Sequence, residues 1–247
     1  MDEAVGWSAG SAGGVERRAG VGLRARWLRA RLGLEFLVLF GGMPLLVYAV
    51  IDGMIASGRR PSGVVFVSLV SGVAVCALVL LFDRGFDRRE LWGWSRARGA
   101  MAGMLGRWAV LMGVVAALIW WIAPERLLSF PLQRPWVWAF VMVLYPILSV
   151  YPQELIFRTF VFRRYREVFG SGWAMIWASG LAFGWGHVIL QNWIAVGMTV
   201  VGGVLFSYTY ARTRSLAAAW VEHALYGCAV FTLGLGSFFY AGAIGRV

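Results

Sequence analysis

Long apolar runs, broken by short clusters of arginine, glycine and proline, dominate the chain from about residue 33 onward. Runs at 33–51, 62–82, 104–123, 135–154, 172–190, 193–210 and 215–234 are each about as long as a helix must be to cross a hydrocarbon core of about 30 Å. A shorter apolar tail at 236–245 reads as a partial further span. The pattern predicts an all-α fold: a polytopic integral membrane helix bundle of about seven to eight transmembrane helices. Between the second and third runs, Asp83 to Arg107 is rich in arginine and tryptophan, which suits an amphipathic segment at headgroup level. Three regions follow: a basic, partly disordered cytoplasmic N-terminus at 1–31, membrane helices at 32–130 with the interfacial segment 83–107, and a membrane core at 131–247.

Composition agrees with a lipid solvent, since 60% of the 247 residues are hydrophobic and 14% charged, where a soluble domain carries about a quarter charged. The net charge of +11 comes wholly from arginine, and 18 of the 23 arginines fall on alternate connections that share one side of the bundle. By the positive-inside rule that side is cytoplasmic, with the amino terminus on it. The basic charge therefore points to anionic headgroups of the lipid bilayer and not to nucleic acid. Exclusive use of arginine hints at a GC-rich bacterial source, and so at a bacterial inner membrane. Residues 1–20 do not resemble a cleavable signal peptide, so the first span is expected to stay as an anchor. Cys76 and Cys228 lie in apolar runs without CxxC spacing and read as small core residues. Gly197, Gly202 and Gly203 read as close helix packing, and most of the fourteen tryptophans as interfacial anchors.

Ionisable groups within spans are costly unless paired or facing protein, so the few present are the candidates for function. They are Glu35, Glu154, Arg158, His187, Glu222 and His223, a set that includes both histidines of the chain. Glu154 and Arg158 stand four residues apart and share a helix face. Gly170-Ser171-Gly172 is the turn midway between Glu154 and His187, so two equal arms put both at one level. His223 lies about eight residues from the Arg212–Ser215 turn, roughly 12 Å into the bundle along a helix. A carboxylate and two imidazoles converging there can activate and orient a water and stabilise an oxyanion, the parts of peptide hydrolysis without a nucleophilic side chain. Glu154, His187 and His223 could equally hold a divalent metal such as zinc. Glu35 and Glu222 are expected to touch other neighbours, Glu222 because successive helical residues point about 100° apart.

From about Leu144 to Phe231 these residues resemble the CPBP family, the CAAX-processing and bacteriocin-processing membrane proteases. Gln153-Glu154 through Arg158 resembles the family's first motif, two glutamates followed by an arginine. Phe183 and His187 resemble the second, and Thr213-Arg214-Ser215 followed by His223 resembles the third. The resemblance implies an intramembrane endopeptidase, commonly labelled a metalloprotease, acting on a membrane-associated protein or peptide substrate. It implies Glu154 as base, Arg158 as its aligning partner, His187 as the group orienting water or metal, and His223 as oxyanion stabiliser. Two departures stand out. Gln153 replaces the glutamate usually assigned to water, and an amide is no general base. Gly227 stands where the family places an asparagine or aspartate, leaving that partner to come from elsewhere, such as Asn192 or Tyr226. A catalytically inactive scaffold or chaperone that keeps the bundle is the rival reading. A transporter is a weaker third, because paired broken half-helices are not evident.

Overall fold

The computed structural model describes the backbone of residues 12–61 and 63–239, and the side chains within 23–61 and 63–239. Of residues 1–20, expected to lack fixed structure, 1–11 lie outside the described residues and 12–20 are helical; the tail beyond residue 239 also lies outside them, and of the partial eighth span only the 3₁₀ turn Gly236–Phe238 and Phe239 fall inside. Helical pieces follow in order as α1 (Ala12–Phe36), α2 (Met43–Ala56), α3 (Val64–Phe82), α4 (Trp94–Ile122), α5 (Ser129–Gln133), α6 (Pro135–Tyr145), α7 (Tyr151–Glu154), α8 (Val161–Arg164), α9 (Arg166–Phe169), α10 (Trp173–Gly186), α11 (Trp193–Thr213) and α12 (Leu216–Thr232). No strand occurs among the described residues. Turns of π-helix at Leu37–Gly42, Pro146–Val150 and Leu155–Phe160 join α1 to α2 and α6 through α8 without interrupting either rod.

The fold is the expected all-α membrane bundle. Six stretches are long and apolar enough to cross a membrane among the described residues: Leu23–Ala56, Val64–Phe82, Trp94–Ile122, Pro135–Arg164, Trp173–Leu190 and Trp193–Thr213. The expected seventh, α12, forms as a helix of 17 residues that carries Glu222 and His223 and packs against α4, α6, α7 and α11. Its buried Ala217 and Ala218 let Ala97 and Met104 of α4 approach closely. The third span begins at Trp94, ten residues before the hydropathy pattern starts it. Gly93, at φ 51°, ends the preceding connection in the left-handed region, and nothing from Trp94 onward breaks the helix, so its arginine-bearing first turns continue into the apolar run. In the same way the described part of the amino terminus is helical from Ala12.

Glycines set the closest helix contact. A Cβ at Gly180 would lie 2.8 Å from the Val204 amide nitrogen, one at Gly184 2.9 Å from Val200 Cα, and one at Gly203 2.7 Å from the Gly180 carbonyl oxygen. These positions bring α10 and α11 to backbone contact, as expected of Gly203. Gly197 differs, because nothing lies within 4 Å of the position its Cβ would take.

The connections bearing most arginines gather at one end of the bundle, where the few acids neutralise them. Arg164 holds Glu35 through both carboxylate oxygens at 2.7 and 2.8 Å, joined by the Tyr165 hydroxyl at 3.1 Å. Arg163 forks onto Asp83 at 2.7 and 3.0 Å. Arg163 and the Gly85 amide hold the Asp83 carboxyl below its usual value. Glu90 takes the Tyr210 hydroxyl at 2.7 Å and Arg214 at 3.1 Å. Arg214, at φ 47°, closes α11, and Ser215 caps α12 by accepting from the Ala218 amide while donating to the Trp92 and Gly93 carbonyls. The start of α12, and with it the depth of His223, is thereby tied to the α3–α4 connection. Trp120, Trp121 and Trp136, 70%, 80% and 80% exposed at helix ends, suit interfacial anchoring.

Candidate active site

Glu154 and Arg158 sit on the rod formed by α6 to α8, across the junction between α7 and the second π turn. A π turn adds one residue per turn and re-aims the side chains after it, which is why such turns recur at functional sites. Both side chains are fully buried. Arg158 Nη2 donates to Glu154 Oε1 at 3.2 Å, while Nε lies 3.0 Å from Oε2, close enough for an ion pair but not aligned as a hydrogen bond. The guanidinium also donates to Ser179 Oγ at 3.3 Å and lies 4.8 Å from the centre of the Phe183 ring. Ser207 and Ser179 continue this polar thread into α11 and α10, with Ser179 donating to the Phe157 carbonyl at 2.6 Å.

His223 reaches the same carboxylate from α12. Its Nδ1 stands 2.9 Å from Glu154 Oε1, joining residues 69 positions apart. A carboxylate only accepts, so Nδ1 carries the proton and Nε2 of the neutral ring is left as an acceptor. The Tyr145 hydroxyl lies 3.2 Å from that Nε2 and is therefore the donor. Phe206 stacks on the imidazole at 4.6 Å and 15°, and Phe183 meets it edge-on at 5.3 Å, so the ring is fixed on both sides. The convergence of Glu154, Arg158 and His223 matches the shared depth read from the helix lengths.

His187 stands at the end of α10. It begins the 3₁₀ turn His187–Leu190 that follows α10, and its Nδ1 donates to the Phe183 carbonyl at 2.8 Å, which leaves its Nε2 as an acceptor. Its ring packs on Phe183 at 4.7 Å, and the same phenyl ring meets His223 at 5.3 Å. The arm from Glu154 to the Gly170-Ser171-Gly172 turn contains a π turn and is broken at Tyr165 between α8 and α9.

Gln153 stays outside the pair, its amide nitrogen donating to Ser149 Oγ at 2.8 Å. Glu222 turns away, as expected, and takes Arg107 of α4 at 2.7 Å. Arg107 also donates to Thr209 at 3.0 Å. Asn192 is spent as the cap of α11, accepting from Ile194 and Ala195 amides. Asn192 therefore does not stand in for the amide missing at Gly227. Tyr226 is buried with a hydroxyl that has no partner among the described residues. Tyr145 is the residue the sequence reading overlooked, because a tyrosine in an apolar run looks like core.

Among the described residues, no three His, Cys, Asp or Glu side chains are arranged to hold a metal ion. Glu154 already faces Arg158 and His223, and the Nδ1 of each histidine is engaged by another oxygen, so Glu154, His187 and His223 do not form a three-donor metal set as placed. An apolar cavity of about 740 Å³ lies between α4, the first π turn after α6, and α12, lined by Trp108, Met112, Pro146, Trp220, Ala224 and Cys228 among others. It includes none of the ionisable residues of the pair. Two of its walls, Pro146 and Cys228, are the chain neighbours of Tyr145 and Gly227.

Residues 133–229 match a family model described as type II CAAX prenyl endopeptidase Rce1-like. No curated protein and no solved structure matched the chain. The matched segment contains Tyr145, Glu154, Arg158, His187 and His223.

Proposed function

We propose that the chain is a CAAX-protease-like intramembrane endopeptidase of the CPBP family, a reading supported by the family match over residues 133–229, and that it hydrolyses peptide bonds of membrane-associated protein or peptide substrates with a water activated by the Glu154–His223 pair. The observation that carries the proposal is the 2.9 Å contact from His223 Nδ1 to a fully buried Glu154. It fixes the tautomer and leaves Nε2 as a base. This division of labour differs from one in which Glu154 itself takes the proton, because both of its oxygens already face cationic or donor groups.

In the proposed reaction His223 Nε2 takes a proton from water while the water oxygen bonds to the substrate carbonyl carbon. The same nitrogen then gives its proton to the leaving amine as the C–N bond breaks, yielding a new carboxyl end and a new amino end. Glu154 holds the imidazole and balances its charge when protonated, and Arg158 fixes Glu154. The acceptor Nε2 of His187 is available to orient the water. The donors present do not fit a metal site, so no step runs through one. The arginine-rich end is assigned to the cytoplasm of a bacterial inner membrane, a placement supported by the gathering there of the connections that carry most of the arginines.

Gln153 favours one rival, a membrane scaffold that keeps the bundle without the chemistry, since the family's second carboxylate is absent. Purified protein in detergent micelles decides between them with a library of quenched-fluorescence peptides. A protease cleaves and loses cleavage with either His223→Ala or Glu154→Gln. A scaffold cleaves nothing, or cleaves equally in all three forms through a contaminant.

A further inference from the structure

The phenol of Tyr145 has an unusual setting for a residue on an apolar helix. Its hydroxyl donates to His223 Nε2, the atom that acts as base in the reaction above, and its ring packs on Phe231 at 5.2 Å. The space it fills exists only because residue 227, one turn beyond His223, has no side chain. A Cβ built on Gly227 would lie 2.5 and 2.7 Å from the Tyr145 ring carbons Cε1 and Cζ, and would clash with the hydroxyl as well. The absence of a Cβ at 227 and the presence of the phenol at 145 are thus one structural fact. A position four residues after His223 shares its helix face. Whatever occupies that face stands beside Nε2, and here it is an O–H group supplied from another helix.

We propose that Tyr145 is a catalytic residue of this site, the donor that stabilises the oxyanion; the inference rests on the peptidase reading above. Substrate carbonyl and water displace the phenol from Nε2, and its hydrogen turns to the carbonyl oxygen. As the water oxygen bonds to carbon and Nε2 takes the water proton, negative charge develops on that oxygen and the O–H bond stays intact while donating to it. The phenol cannot return to Nε2 during this step, because a protonated Nε2 no longer accepts. When the C–N bond breaks and Nε2 gives up its proton to the amine, the carbonyl re-forms and Tyr145 goes back to its resting partner. A wall of the neighbouring apolar cavity is Pro146, the next residue, so an apolar substrate chain held there would bring a peptide bond to the phenol.

The test uses the full-length protein in micelles and a quenched-fluorescence peptide spanning a bond that wild-type cells cut and His223→Ala cells do not. Tyr145→Phe keeps the ring and its packing and removes only the donor. It is expected to lower kcat by about 10²–10³-fold, the usual cost of one oxyanion donor, with KM within about threefold. Gly227→Asn alone is expected to lose activity, because its side chain collides with the phenol. Tyr145→Ala is also expected to lose activity, whereas Tyr145→Ala combined with Gly227→Asn places an amide N–H in the vacated space and is expected to regain at least about tenfold over Tyr145→Ala. Unchanged kcat in Tyr145→Phe overturns the inference and leaves the peptidase reading standing. A loss confined to KM, or the absence of any regain in the double variant, also overturns it. Lack of cleavage by wild type overturns the peptidase reading and this inference together.

Discussion

Replacing Arg158 with methionine isolates the charge that the bundle spends on Glu154. The guanidinium is fully buried and contacts both carboxylate oxygens, Ser179 and the face of Phe183. Arg158→Met keeps much of the side-chain volume but leaves a fully buried carboxylate with His223 Nδ1 as its one remaining hydrogen-bond donor. Breaking a buried pair from one side costs about 3–5 kcal/mol, because the remaining charge is neither hydrated nor paired. Glu154→Gln combined with Arg158→Met removes both charges and keeps an oxygen that accepts from His223, so it should recover a large part of that loss. The two single variants and the double form a thermodynamic cycle, read by reversible unfolding in mixed micelles, with an expected coupling of about 2–3 kcal/mol. A cost below about 1 kcal/mol for Arg158→Met, or two single effects that simply add, would refute the reasoning.

Other consequences can be checked in the same preparations. Gly184→Val should push α10 off α11 and cost about 1–3 kcal/mol, because its Cβ falls against Val200 Cα at 2.9 Å, whereas Gly197→Ala, with open space around it, should change stability by less than about 0.5 kcal/mol in thermal melts. The Asp83 carboxyl, lowered by Arg163, stabilises the folded state above its unfolded value of about 3.9 and loses that contribution as the pH falls through its lower folded value. Acid titrations of stability should therefore show a smaller drop below about pH 4 in Asp83→Asn than in wild type, the effect being modest because the pair is about a third exposed. Since Glu154, His187 and His223 do not fit a three-donor set, peptide cleavage in micelles should survive overnight dialysis against a strong chelator. Loss of cleavage that added zinc restores would show that the site rearranges around a metal.

Much of the bundle was legible because apolar length is a strong signal, and much of the site because ionisable residues are so rare in it. Glu154 and Arg158 announce their pairing by a four-residue spacing, and Glu154 and His223 by their distance from arginine-rich turns. What hydropathy does not encode is where a helix widens or breaks. The π turn at Leu155–Phe160 and the break at Tyr165 leave the apolar pattern unchanged. A similar limit hides the start of α4, where the arginine-bearing turns that look interfacial are continuous with the span and carry Arg107 to Glu222. Tyr145 was invisible for another reason: its partner lies 78 residues away, and aromatic residues in apolar runs are ordinarily core. The one trace of it in the sequence is Gly227, a missing side chain one helical turn past His223.

The central claim is that the buried Glu154–His223 pair performs hydrolysis. Its most direct test compares protein termini by mass spectrometry in membranes of cells expressing wild type, Glu154→Gln or His223→Ala at matched levels. The account predicts new amino and carboxyl ends, within membrane-associated proteins, that appear with wild type and vanish with both variants. Identical termini in all three, with the variants folded and equally abundant, would contradict it.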